Sequence, residues 1–138
     1  IKKEFLDKTP ALKKLREAVL EAANAGYIVA IDGRRISIRS PHAALNSLLQ
    51  SSGALVCKQW LIEFENEMKA QGFKHGWDGD YSLCAWVHDE IQVAVREELA
   101  DQVGKIAVLT IQRVTEFFNF KCPLDGEYKI GSSWSETH

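Results

Sequence analysis

The sequence predicts an α+β fold, helices layered on short antiparallel hairpins, and three observations carry that expectation. Two β-branched runs at 27–31 and 34–38 flank Asp32-Gly33, a strong signal for a tight turn between antiparallel strands. A second pair of apolar runs, at 83–87 and 91–95, flanks the polar triplet His88-Asp89-Glu90. Around these hairpins lie three stretches whose apolar residues recur at helical spacing.

Taken in order, Thr9-Pro10 is a helix start, a hydroxyl cap followed by proline in the first turn. Leu12, Leu15, Val19 and Ala22 follow at helical spacing, and Gly26 stops the helix. Ser40-Pro41 repeats the start signal and opens a second helix that runs toward Gln71-Gly72. A helix of about 30 residues is long for a globular protein, so a break is expected, with Gly53 as its site. Residues 72–82 form a loop rich in glycine and aspartate, ahead of the second hairpin. A third helix is expected over 98–118, with Leu99, Val103, Ile106, Val114 and Phe117 on one face. Asp125-Gly126 predicts a further hairpin-like turn in the tail.

At 138 residues the chain has the length of one ordinary domain. Hydrophobic residues at 46% and charged residues at 26% exclude a disordered chain. No apolar run approaches the roughly 20 residues of a membrane span, so no membrane partner is expected. Three cysteines with no Cys-x-x-Cys spacing indicate neither a disulfide framework nor a zinc ribbon; buried structural thiols in a reducing cytoplasm are expected. The chain opens at Ile1 and not at Met, which suggests a piece of something longer. Charge is uneven: residues 1–39 hold nine bases against five acids, whereas the whole chain carries −2. A basic front suits a phosphate-rich partner, and solvated helix faces produce the same bias.

Two constellations could carry chemistry. An acidic pair raised on a hairpin tip, as in His88-Asp89-Glu90, suits a hard cation such as Mg²⁺, which takes one or two carboxylates plus substrate phosphates. A solvated turn has the same composition. His42, Asn46 and Gln50 are spaced by four, which on a helix makes a polar ladder about 12 Å long. Such donors can reach the acceptors that a duplex minor groove presents at every base pair, or they can simply be a helix's wet face. Other combinations fail on geometry. Cys84 and His88 lie four apart on a strand, about 13 Å, too far for a thiolate–imidazole pair. Asp78-Gly79-Asp80 lacks the further ligands of a calcium loop.

The assembled motifs resemble one family. Val87-His88-Asp89-Glu90-Ile91-Gln92-Val93 resembles the third carboxylate motif of family A DNA polymerases, the group of bacterial DNA polymerase I and phage replicative enzymes. Arg39-Ser40-Pro41-His42-Ala43-Ala44-Leu45-Asn46, continuing to Leu49-Gln50-Ser51, is similar to that family's template–primer-binding helix in its podovirus-type phage form. Lys74-His75-Gly76-Trp77-Asp78-Gly79-Asp80 resembles the same branch, and Gly131-x-x-Trp134 with a terminal His138 matches how members end.

The resemblance implies a palm subdomain portion over 1–138, its hairpin bearing the catalytic acid and packed on long helices. Asp89 would be one of two aspartates holding a Mg²⁺ pair for nucleotidyl transfer, which lowers the pKa of the primer 3′-hydroxyl and clamps the incoming phosphates. His88 would sit beside the primer terminus, and Glu90 would support the motif. Arg39, His42, Asn46 and Gln50 would bind DNA, with Asn46 and Gln50 at the minor groove near the new base pair. His42 stands where bacterial members carry arginine, and the proline and glycine they place around the Gln50 segment are absent. Nothing resembles the first carboxylate motif, the fingers helix, the thumb or the exonuclease, so the second metal-binding aspartate must come from upstream. The implied partners are primer–template duplex, deoxynucleoside triphosphates, the missing upstream part, and a second copy through an exposed palm face. The implied setting is the cytoplasm of a phage-infected bacterium. The rival reading is an inactive duplex-binding remnant or a subunit of a split polymerase.

Overall fold

A computed structural model of the chain describes Phe5 and residues 7–138. The chain divides into two compact units, Ile1–Leu55 and Val56–His138, each with its own core.

In the first unit, helix α1 (Pro10–Ala23) begins with proline in its first turn as expected. The Thr9 cap is not made, because its hydroxyl donates to the Phe5 carbonyl at 2.7 Å. The buried face is Val19 and Ala23, whereas Leu15 and Ala22 are exposed. Strands β1 (Tyr27–Val29) and β2 (Arg35–Ser37) pair antiparallel with Ile28 opposite Ile36. They are shorter than the β-branched runs suggested. The Ala30 amide bonds the Arg34 carbonyl at 2.9 Å, closing a three-residue loop with Gly33 in the left-handed conformation. Asp32 therefore lies inside a longer loop, and its carboxylate holds the Arg34 side chain at 2.5 Å. Val19, Ala23, Ile28 and Ala44 form the buried cluster, flanked by Ile36, Ile38, Leu45 and Leu48.

A 3₁₀ turn (Pro41–Ala43) leads into helix α2 (Ala44–Ala70). The predicted break at Gly53 is absent. The helix is continuous through Gly53, where a single glycine costs only about 1 kcal/mol against alanine and removes no hydrogen bond. The predicted stop at Gln71-Gly72 is present: Gly72 bonds back to the Lys69 carbonyl and Phe73 to the Met68 carbonyl, both at 3.0 Å, the crossed pair of a Schellman ending.

The second unit is built on the antiparallel hairpin of β3 (Tyr81–Val87) and β4 (Glu90–Val95). A bulge at Cys84 shifts the register between Leu83 and Ala85, an extra residue that locally increases twist. A 3₁₀ turn (Glu97–Leu99) precedes helix α3 (Ala100–Phe117). Phe64, Met68, Tyr81, Val103 and Ile106 are the buried cluster, with Leu83, Ile91, Val93 and Val95 of the hairpin packed on it. The hairpin thus rests on α2 and α3, as the α+β expectation required. Burial of each large apolar side chain here contributes about 1.5–3 kcal/mol. The Trp60 indole donates to the Ala107 carbonyl at 2.9 Å, and Arg113 bridges to Glu67, so polar contacts also tie the two helices together. Phe117 departs from the expected buried face: it is 61% exposed and packs edge-on against Phe118.

The tail forms no hairpin at Asp125-Gly126. The Asp125 carboxylate accepts from Gln112 and from the Gly126 amide, which fixes an irregular segment along α3. The chain ends in a four-residue helix α4 (Trp134–Thr137). Along this path the Tyr128 ring lies on Gly104 of α3, where a β-carbon would approach ring atoms to 2.3 Å, and the Tyr128 hydroxyl donates to Asp101 at 2.6 Å. Glycine stands mid-helix because the tail's ring occupies the space a side chain would take.

Gly104→Ala should therefore fail to deliver the usual helical gain of about 1 kcal/mol. The same change in a Tyr128→Ala background should recover it, as read by urea unfolding of both pairs.

Candidate metal-carboxylate hairpin and minor-groove helix

Residue parity on the hairpin decides which acids reach solvent. Val87 pairs with Glu90, so the connection is the two residues His88 and Asp89 and not the expected triplet. His88 has φ 56°, the positive value that mirror-image hairpin turns require at their first position. The Trp86 indole donates to the His88 carbonyl at 2.7 Å and pins that conformation. His88 and Asp89 are both exposed at the tip. Asp89 has no hydrogen-bond or ion-pair partner among the described residues.

Glu90 is different. As the first residue of β4 it is half-buried, and strand periodicity puts Gln92 on its face of the sheet. The Gln92 amide donates to Glu90 Oε1, and His138 Nδ1 lies 3.2 Å from Glu90 Oε2. Gln92 Oε1 in turn accepts from the Thr137 hydroxyl at 3.3 Å. The Gln92 bond lowers the Glu90 pKa from its ordinary value, with the His138 and Trp134 bonds acting the same way and partial burial opposing. The three partners of Glu90, Gln92, Trp134 and His138, and Thr137 behind Gln92 were not assigned roles by the sequence. Gln92 could have been read from its spacing of two. The tail contacts depend on a fold-back that no local pattern announces.

Beneath the tip lies Cys57 of α2, buried, its thiol pKa pushed up by burial first and by the negative charge of Asp89 second. Only this cysteine fits the buried structural reading, since Cys84 and Cys122 are exposed.

Among the described residues no three His, Cys, Asp or Glu side chains gather around a common point. The donor chemistry at the tip nonetheless suits a hard cation, since Asp89 offers an unengaged carboxylate and Mg²⁺ typically takes one or two such ligands plus substrate phosphates.

In the first unit, Asn46 and Gln50 lie one turn apart on α2 and are both exposed. His42 precedes them in the 3₁₀ turn, so it is offset from the α-helical ladder, and it too is exposed. None of these three side chains, nor that of Arg39, makes a hydrogen bond or ion pair among the described residues. The neighbouring arginines are committed: Arg34 to Asp32, and Arg35 over the Tyr27 ring at 4.7 Å.

The backbone resembles a known architecture. The structure titled POL domain of Pol1 from M. smegmatis complex with DNA primer-template and dNTP superposes with a TM-score of 0.67 at 21% identity, covering 80% of this chain and 21% of that one. The fold class is thus an α+β portion of a polymerase domain. The family model for DNA polymerase family A matches residues 1–136, and the chain belongs to that family. It is 47% identical to the DNA-directed DNA polymerase of Enterobacteria phage T3 and 46% identical to that of Escherichia phage T7, in each case over the whole of this chain. The chain spans 22% of the length of those two relatives.

Thiol reactivity reports the geometry of the tip. Cys84 and Cys122 should react rapidly with a thiol reagent at pH 8 while Cys57 reacts slowly. Asp89→Asn should speed Cys57 a few-fold by removing the nearby charge, measured by stopped-flow labelling and peptide mapping. Equal rates for all three thiols would contradict the burial of Cys57 beneath the tip.

Proposed function

We propose that this chain is the carboxyl-terminal palm portion of a phage-type DNA polymerase and serves template-directed DNA synthesis in the cytoplasm of an infected bacterium. What carries the reading is Asp89, an unengaged carboxylate at the tip of a two-residue turn, in a chain that belongs to family A. Asp89 would hold Mg²⁺ together with a second aspartate from an upstream segment. When bound, the ion pair would supply charge neutralisation for the transferring phosphoryl group and acidify the primer 3′-hydroxyl.

The chain's own residues hold and orient. Asp89 fixes the cation site on a hairpin whose turn is pinned by Trp86. His88, its conformation set by that bond, stands beside the primer terminus. Asn46 and Gln50 donate to minor-groove acceptors without reading sequence, and His42 extends the same contact. Arg39 neutralises a backbone phosphate. The remaining partners are the deoxynucleoside triphosphates and the upstream polymerase segments. Exposed apolar side chains such as Leu49, Ile62 and Leu109 make self-association of the isolated chain a further expectation.

The decisive experiment is primer extension with magnesium. The isolated 138-residue chain should extend nothing, since one aspartate cannot hold two dications about 3.5–4 Å apart. In the complete polymerase, Asp89→Asn should lower the extension rate by about three orders of magnitude, several kcal/mol at 1.36 kcal/mol per decade. Extension by the isolated chain, or an Asp89→Asn enzyme of normal rate, would overturn this assignment.

The duplex contacts have their own measurement. Asn46→Ala and Gln50→Ala should each weaken primer–template binding about fivefold at any sequence, the worth of one hydrogen bond. Arg39→Ala should instead flatten the salt dependence by about one phosphate contact.

A further inference from the structure

Two neighbouring carboxylates at the hairpin tip face different surroundings. Asp89 is exposed and unengaged, whereas both oxygens of Glu90 are held, one by Gln92 and the other by His138. Gln92 is itself held from the far side by Thr137. The short helix α4 has little of its own to keep it in place: it has four residues and no buried side chain, and its exposed Trp134 meets the His138 ring edge-on at 5.7 Å and bonds to Glu90. Trp134 and Thr137 of α4 and the following His138 all reach β4, and every one of these contacts leads to Glu90, directly or through Gln92.

We propose that Glu90 is a positioning residue that fastens helix α4 and His138 to the metal-carboxylate hairpin, leaving Asp89 alone to face the cation. This rests on the polymerase reading above and assigns the residue next to Asp89 a role other than metal ligation. Gln92 sets the Glu90 side chain along the sheet face, away from the tip, and His138 closes the bond from the tail. The Glu90 carboxylate, so held, does not compete for the cation, and it keeps residues 134–138 against the catalytic hairpin.

The test combines a tail readout with a metal readout. In the complete polymerase, Glu90→Gln and Gln92→Ala should each speed proteolytic trimming within residues 134–138 by a non-specific protease about tenfold, the loss of one hydrogen bond to a charged group. The double variant should trim no faster than the faster single, because both changes break one linked contact. His138→Ala should be matched by loss of the same protection, and His138→Gln, which keeps a donor, should restore it. The half-saturating magnesium concentration for extension should move less than twofold in Glu90→Gln and Gln92→Ala. A tenfold or greater rise in that concentration in Glu90→Gln would make Glu90 a cation ligand and overturn the proposal. Unchanged trimming, or additive effects in the double variant, would overturn it as well. If Glu90→Gln does not fold, Thr137→Val probes the fastening from a position away from the tip with the same trimming assay. Trimming does not depend on catalysis, so an inactive wild-type enzyme would count against the polymerase reading while leaving the fastening to be decided by the tail.

Discussion

The second unit depends on how Tyr81 is anchored at the base of the hairpin. Its ring is buried, meets Phe64 edge-on at 6.0 Å, and sends its hydroxyl to Glu65 at 3.0 Å. The aromatic contact contributes about 0.5–1.5 kcal/mol beyond area burial, and the hydrogen bond relieves a phenol that could not be left unpaired inside. Burial and the neighbouring carboxylate both push the phenol's pKa above its ordinary range, so it remains a neutral donor through the physiological range. The residue joins β3 to α2, and its backbone is held by Lys74 and Gly76 of the preceding loop. With the base fixed there, the register of six strand residues carries the constraint to the other end. Asp89 is placed by an anchor roughly 20–25 Å away along the strands.

That chain of constraint explains which features were legible. A strand's period of two and a helix's period of 3.6 act locally, so the hairpins, the helix starts at Pro10 and Pro41, and the stop at Gly72 could be read from neighbours alone. The polar tip was legible for the same reason. Its extent was not, because whether Glu90 belongs to the turn or to β4 depends on pairing with Val87 across the sheet. Asp32-Gly33 misled in the same way: the dipeptide fits a two-residue turn, but Ala30 and Arg34 close a longer loop.

Elements whose fate depends on distant partners were illegible. Gly53 carries a weak local penalty, easily outweighed by a helix of 27 residues with packed faces. Gly104 is conformationally unremarkable as sequence, and only the return of Tyr128 gives it a reason. Phe117 has the right spacing for the buried face of α3, yet it is the helix's last residue, is exposed, and packs on Phe118 instead. The tail's Asp125-Gly126 has turn chemistry but no second strand to pair with, and Gln112 takes the aspartate. Helical spacing alone gave Asn46 and Gln50 a shared exposed face. The same reading placed His42 one turn too regularly, because the proline at 41 begins a 3₁₀ segment.

The adjacent acids at 89 and 90 show how backbone parity can divide chemical labour. Had the turn contained three residues, both carboxylates would have stood at the tip, close and unpaired, each disfavouring ionisation of the other. A two-residue turn with a left-handed His88 removes that conflict by drawing Glu90 into the ladder opposite Val87. Once in the strand, its side chain lies beside Gln92, the residue two positions on, and an amide is a suitable neighbour because it can donate to the carboxylate and accept from elsewhere at the same time. Thr137 uses that second capacity. The tail is thus held by the residue that the turn withdrew from solvent, and Asp89 is left exposed because it stands in the turn itself. Turn length, a property of three or four backbone dihedrals, determines which of two otherwise similar acids stays unengaged at the tip and which one is held within the strand.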